Sequence, residues 1–135
     1  MPGFLLDTNH VSEALRPVSR VRDRIGQLRL QGIRVGTCVP VLCELEAAFP
    51  PSSRGQKYRR ALKRLLGRVR LWPLDYEISP LYGEVFRELR SRGRVLSQVD
   101  MLQAALARHM GFTLATTDHD FEALPDLRTQ NWLEP

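Results

Sequence analysis

The acidic residues of this chain fall where chemistry could use them. Two short apolar runs end in aspartate: Phe4-Leu5-Leu6-Asp7 and Thr113-Leu114-Ala115-Thr116-Thr117-Asp118. In open α/β sheets, ligands bind beyond the carboxyl ends of the strands, so both acids would face one crevice if these strands are neighbours. Like charges held that close do not all stay ionised unless a cation compensates them. Asp100 is a third candidate, since Ser97-Gln98-Val99-Asp100 fits a capping box. Its ordinary meaning is a helix start worth about 1 kcal/mol, but a helix start at the mouth of a sheet also suits a site residue. Glu44 is a fourth. It lies on one margin of the stripe Val41, Leu45 and Ala48, with Glu46 on the other, and periodicity does not choose between them. Asp120 is a fifth, with a cap for the turn beginning at Phe121 as its ordinary role.

Carboxylates converging on one point imply hard divalent cations. Mg²⁺ prefers oxygen ligands and is commonly shared between carboxylates and substrate phosphate. Two such ions about 3.5–4 Å apart activate water and stabilise the leaving oxygen in phosphodiester hydrolysis.

The elements that must position these acids follow from periodicity and punctuation. Strands are expected at residues 4–7, 33–37, 69–74, 112–116 and 127–130, the third short or at an edge because of Pro73. A short helix after Thr8 should stop before Pro17. Ser19 caps a helix reaching Gly32, with Val21, Ile25, Leu28 and Leu30 apolar, and Pro40 suits the start of a helix over 39–49. Helices are expected at 54–68 and 79–92, the second with Leu81, Val85, Phe86 and Leu89 inward. Another runs from Ser97 to His109 or Met110 and closes at Gly111, and residues 121–124 form a helical turn. Strands alternating with helices predict a three-layer α/β/α sandwich with a central, mostly parallel sheet. Without repeats or linkers, residues 1–135 read as a single domain.

Composition narrows the class. The chain is 43% hydrophobic and 26% charged, ordinary for a globular protein. No apolar run approaches the roughly 20 residues of a membrane span. The start lacks a basic segment and meets Asp7 after two leucines, unlike a signal peptide, so a cytoplasmic location and no membrane partner are expected. Cys38 and Cys43 are too few for a zinc site and read as two small core residues. The net charge of +5 favours polyanionic partners, and all but two of the 20 basic residues are arginine. A basic helix face carries Arg54, Lys57, Arg59, Arg60, Lys63, Arg64 and Arg68, which is most simply a solvated surface and otherwise a dock for a polyanion or an acidic segment. Arg92 and Arg94 precede the Asp100 helix and are better placed to touch substrate phosphate.

Leu6-Asp7-Thr8-Asn9, with Ser12 and Glu13 following, resembles the opening motif of PIN-domain proteins, above all the VapC-like toxins of VapBC pairs. Glu44-Leu45 with Ala47 and Ala48, the run Asp100 to Ala107, and Thr116-Thr117-Asp118-His119-Asp120 are similar to the later motifs, in order. Asn131-Trp132 is like the tail of many members, and Ala48 stands where many have glycine. The resemblance implies Mg²⁺- or Mn²⁺-dependent endonucleolytic cleavage of RNA. It implies a catalytic quartet of Asp7, Glu44, Asp100 and Asp118, with Asp120 as an accessory metal ligand. Asp7, Asp100 and Asp118 are then expected to contact metal, and Glu44 to orient metal-bound water. Asn9, Thr116 and, more weakly, Ser12 are expected to brace the carboxylates. It also implies a VapB-like, DNA-binding antitoxin and a homodimer.

Other chemistries fit less well. Receiver domains need a late lysine, and none follows Lys63; haloacid-dehalogenase phosphatases need an aspartate where Asn9 stands. A metal-free ribonuclease could use His10, His109 and His119, although exposed loop histidines are the simpler expectation for His10 and His119. A PIN-like module that only binds RNA or protein would be signalled by loss of one or more acids, and the set is intact.

Overall fold

A computed structural model describes residues 2–134; Met1 and Pro135, the outer bounds of the expected domain, lie outside the described residues. Five strands form one sheet: β1 Gly3–Leu6, β2 Arg34–Cys38, β3 Arg70–Trp72, β4 Thr113–Ala115 and β5 Thr129–Gln130. All pair in parallel, in the order β3-β2-β1-β4-β5. The expected mostly parallel sheet is therefore wholly parallel.

Parallel strands need crossovers, and helices supply them. Helices α1 Thr8–Ala14 and α2 Arg20–Leu30 join β1 to β2, and α3 Val39–Ala48 and α4 Ser53–Leu65 join β2 to β3. Helices α5 Ile78–Ser91 and α6 Gln98–Met110 return from the β3 edge to β4. Because crossovers are right-handed and this one reverses direction, α1–α4 cover one face and α5–α6 the other. The strand order turns back between β1 and β4, and there the carboxyl ends open a crevice.

The core explains the central strands. Leu5, Leu6, Leu114 and Ala115 are fully buried, as expected for strands covered on both faces. Val11, Val21 and Ile25 pack from one side and Val85, Leu89 and Leu106 from the other. Gly36 is required where β3 pairs alongside: a Cβ there would collide with Trp72 Nε1 and the Arg70 carbonyl oxygen. Gly111 closes α6 in the left-handed conformation at φ 66°, the position glycine was expected to fill. Arg108, almost buried on α6, is joined to Glu88 of α5 through two hydrogen bonds and to Asp126 at 2.6 Å. That clamp ties both helices of the second layer to the turn before β5.

Three expectations about the core need correction. Leu30 is 91% exposed, because the helical repeat puts it on the face of α2 opposite the buried Val21, Ile25 and Leu28. Phe86 lies on the outer margin of α5 and is exposed. Cys38 is buried, its thiol pushed up to about 11 chiefly by desolvation, but Cys43 is exposed on α3 and is not a core residue.

Candidate active site

Each acid is held by the element that ends or begins beside it. Asp7 follows β1 directly, and its backbone N–H donates to the Ala115 carbonyl of β4 at 3.0 Å, so it sits at the carboxyl edge between the two central strands. Its side chain is also the N-cap of α1: Oδ1 accepts the His10 backbone N–H at 2.8 Å. Thr37 Oγ1 donates to the Leu6 carbonyl at 2.9 Å and fixes the end of β1 against β2.

Asp100 occupies the first turn of α6, where Ser97 Oγ accepts its backbone N–H at 3.1 Å. Burial pushes its carboxyl above the usual range; the Ser97 hydroxyl opposes this, and the Asp118, Glu44 and Asp7 carboxylates add to it. Acids from three other elements thus act on Asp100. Asp118 follows β4 and caps the short 3-10 helix His119–Ala123, its Oδ1 accepting the Asp120 N–H at 2.8 Å. Glu44 accepts a hydrogen bond from Thr8 Oγ1, so the residue after Asp7 orients the acid on α3. Glu46 turns away to Arg59 at 2.8 Å, which resolves the pair that periodicity left open.

The remaining expected residues behave differently from one another. Asp120 is not among the carboxylates acting on Asp100; it pairs with Arg94 at 3.1 Å. Arg94 therefore holds an acid of the site's rim rather than standing free for phosphate, and Arg92 is exposed at the end of α5. Asn9 Nδ2 donates to Thr117 Oγ1 at 3.0 Å and so braces the loop leading to Asp118 rather than a carboxylate. Thr116 Oγ1 accepts the Asp118 N–H at 3.1 Å. Ser12 is exposed and makes no side-chain hydrogen bond among the described residues.

The histidines do not converge. His119 is exposed, pairs with Glu122, and is raised above its ordinary value by that hydrogen bond. His109 lies near the far end of α6, beside Glu77. His10 is fully buried, which corrects the expectation of an exposed loop residue: residues 130–132 fold over it, and Trp132 packs edge-on against its ring. Sequence reasoning missed the roles of Thr8, His10 and Thr37. Thr8 and His10 carry a recognisable signal, since they take the first and third positions of a helix capped by Asp7.

Among the described residues, no three His, Cys, Asp or Glu side chains are gathered tightly enough to enclose an ion as they stand. The donor set nonetheless suits a hard divalent ion. It consists of carboxylate oxygens, and the excess negative charge already felt by Asp100 is what a cation would offset.

The chain matches known proteins over nearly its whole length. Residues 4–127 match the PIN domain family. Ribonuclease VapC2 of Haemophilus influenzae is 26% identical over 139 residues, covering 98% of this chain and 100% of the relative. Toxin FitB of Neisseria gonorrhoeae is 27% identical over 123 residues, covering 85% of this chain and 87% of the relative. In fold, the chain is similar to the structure of VapBC2 from Rickettsia felis bound to a promoter DNA fragment, with a TM-score of 0.85 at 24% identity, covering 96% of this chain and 98% of that one. With a parallel sheet that brings Asp7 and Asp118 to one edge and a match from residue 4 to residue 127, the chain belongs to the PIN domain family.

Proposed function

We propose that this chain is a single-domain endoribonuclease dependent on Mg²⁺ or Mn²⁺, acting as the toxin of a toxin–antitoxin pair. The observation that carries the reading is that the carboxylates of Asp118, Glu44 and Asp7, from three other elements, all act on Asp100 at the carboxyl edge of the sheet. The ribonuclease and toxin names of the relatives support it. A cytosolic site of action follows, since the substrate is there; no helix among the described residues is long and apolar enough to cross a membrane.

Asp7, Asp100 and Asp118 would hold the divalent ion, which supplies Lewis acidity toward a phosphodiester and charge compensation for the leaving oxygen. The chain's own residues then have separate tasks. Asp7 is fixed by the start of α1, and Asp118 by the start of the 3-10 helix. Glu44, held by Thr8, orients the attacking water and takes its proton. Arg92 and Arg94 line the approach for the RNA backbone, with Arg94 exchanging its Asp120 contact for phosphate. The metal-free alternative is disfavoured because His10 is buried with both ring nitrogens engaged.

Partner binding has its own surface. A groove of about 610 Å³ lies between the end of α1 and α4, and none of the four acids lines it. Its floor includes Leu15, Tyr58 and Leu65, and its rim Arg22, Arg54 and Arg64. An amphipathic, acidic antitoxin segment fits such a groove. Exposed Leu71, Tyr76 and Phe86 are the surface this reading gives to a homodimer.

The test is cleavage of a mixed RNA pool by purified protein in Mg²⁺, in Mn²⁺ and in EDTA. Cutting with metal and none in EDTA is expected; undiminished cutting in EDTA would overturn the metal mechanism.

A further inference from the structure

An N-capping carboxylate normally needs only the backbone N–H that it accepts. Asp7 has a second donor. The His10 ring approaches the same oxygen, with Nδ1 at 2.9 Å from Oδ1. On the other side of the ring, the Trp132 backbone N–H donates to His10 Nε2 at 3.0 Å. A nitrogen that accepts an N–H carries no proton of its own, so the ring proton is on Nδ1 and points at Asp7.

The two donors occupy Asp7 Oδ1, and Oδ2 accepts no hydrogen bond among the described residues, which leaves it the oxygen available to a cation. The His10 ring has no freedom to choose otherwise. It is fully buried, and the residues around Trp132 are themselves anchored. Trp132 Nε1 donates to Gln130 Oε1 at 3.1 Å, its ring packs against Phe4, and the Arg24 guanidinium lies 5.0 Å from the ring centre.

We infer that His10 is a positioning residue that fixes which oxygen of Asp7 is offered to the metal, with its tautomer set by the backbone of Trp132. The inference rests on the reading of Asp7 as a metal ligand. It makes the segment after β5, which touches no ligand itself, part of the machinery of the site. Groups that orient ligating carboxylates in this way typically change metal affinity by about 10–100-fold when removed.

Two substitutions separate the two hydrogen bonds. Asparagine carries an amide nitrogen at roughly the reach of Nδ1, so His10→Asn keeps a donor for Asp7 and loses the acceptor for Trp132. Glutamine carries an amide oxygen at roughly the reach of Nε2, so His10→Gln does the reverse. Mn²⁺ affinity, followed by electron paramagnetic resonance, is expected to stay near the wild-type value in His10→Asn and to weaken about 10-fold or more in His10→Gln. The ¹⁵N spectrum of the wild-type imidazole is expected to show a proton on Nδ1 and none on Nε2, a readout that requires no variant to fold. A proton on Nε2, or equal Mn²⁺ affinity in the two folded variants, would overturn the proposal. Failure of the underlying reading looks different: the wild-type protein would bind no Mn²⁺ at all, and both would fall.

Discussion

The Thr8 hydroxyl donates to the Glu44 carboxylate, joining the first residue of α1 to an acid in the middle of α3. Because Thr8 follows Asp7 directly, one segment sets the direction of two of the four acids. Thr8→Val keeps the shape and removes the donor, so RNA cleavage should fall by about 10–100-fold. Thr8→Ser should retain most of it. Stability should change by no more than about 1.5 kcal/mol, since one hydrogen bond at a half-buried position is lost. Rates and urea melts of the two variants check this, and equal activity in both would refute the role.

Asp100 gives a pH dependence whose sign can be worked out. Its carboxyl is raised in the folded chain by burial and by its acidic neighbours. A raised acid favours the protonated folded state, so its contribution to stability is fully present below the unfolded value near 3.8 and is lost as pH rises through the folded value. In EDTA, Asp100→Asn should therefore melt above the wild type at pH 7, and the difference should shrink toward pH 4. The same substitution should abolish cleavage. A variant that melts below the wild type at pH 7 would contradict the electrostatic account.

Asp118 and Asp120 are two residues apart but face different partners. Asp118 acts on Asp100, whereas Asp120 is paired with Arg94. Asp118→Asn should reduce cleavage more than about 100-fold, and Asp120→Asn less than about 10-fold. Equal losses would mean that Asp120 leaves Arg94 and joins the site.

Arg108 belongs to the frame and not to the chemistry. Its guanidinium is held above its ordinary value mainly by the Glu88 hydrogen bond, and Asp126 adds to the effect. Arg108→Met should cost about 1–3 kcal/mol in urea unfolding, because charged hydrogen bonds between α5, α6 and the turn before β5 are lost. Turnover by the folded fraction should be unchanged.

Much of this was legible in the residues. Ser19 and Ser97 mark helix starts, Gly111 marks a stop, and the apolar runs before Asp7 and Asp118 mark strands, because each signal is local. The acids of those strands announce themselves by ending them. What stayed hidden depends on contacts distant in sequence. Glu44 and Glu46 flank the same stripe, and only Thr8 and Arg59 tell them apart. His10 looks like a polar loop residue until the chain returns more than a hundred positions later to lay Trp132 over it. Cys43 and Leu30 are different: each lies on the helix face opposite its buried stripe, so the helical repeat itself records their exposure against their apolar residue type.

The central claim is that four carboxylates make one metal-dependent nuclease centre. The most direct measurement is RNA cleavage in Mg²⁺ by the wild type beside Asp7→Asn, Glu44→Gln, Asp100→Asn and Asp118→Asn, each verified as folded by circular dichroism. Every variant should fall to the level that the wild type shows in EDTA. Wild-type activity in any one of the four, or wild-type cutting that EDTA leaves intact, would contradict it.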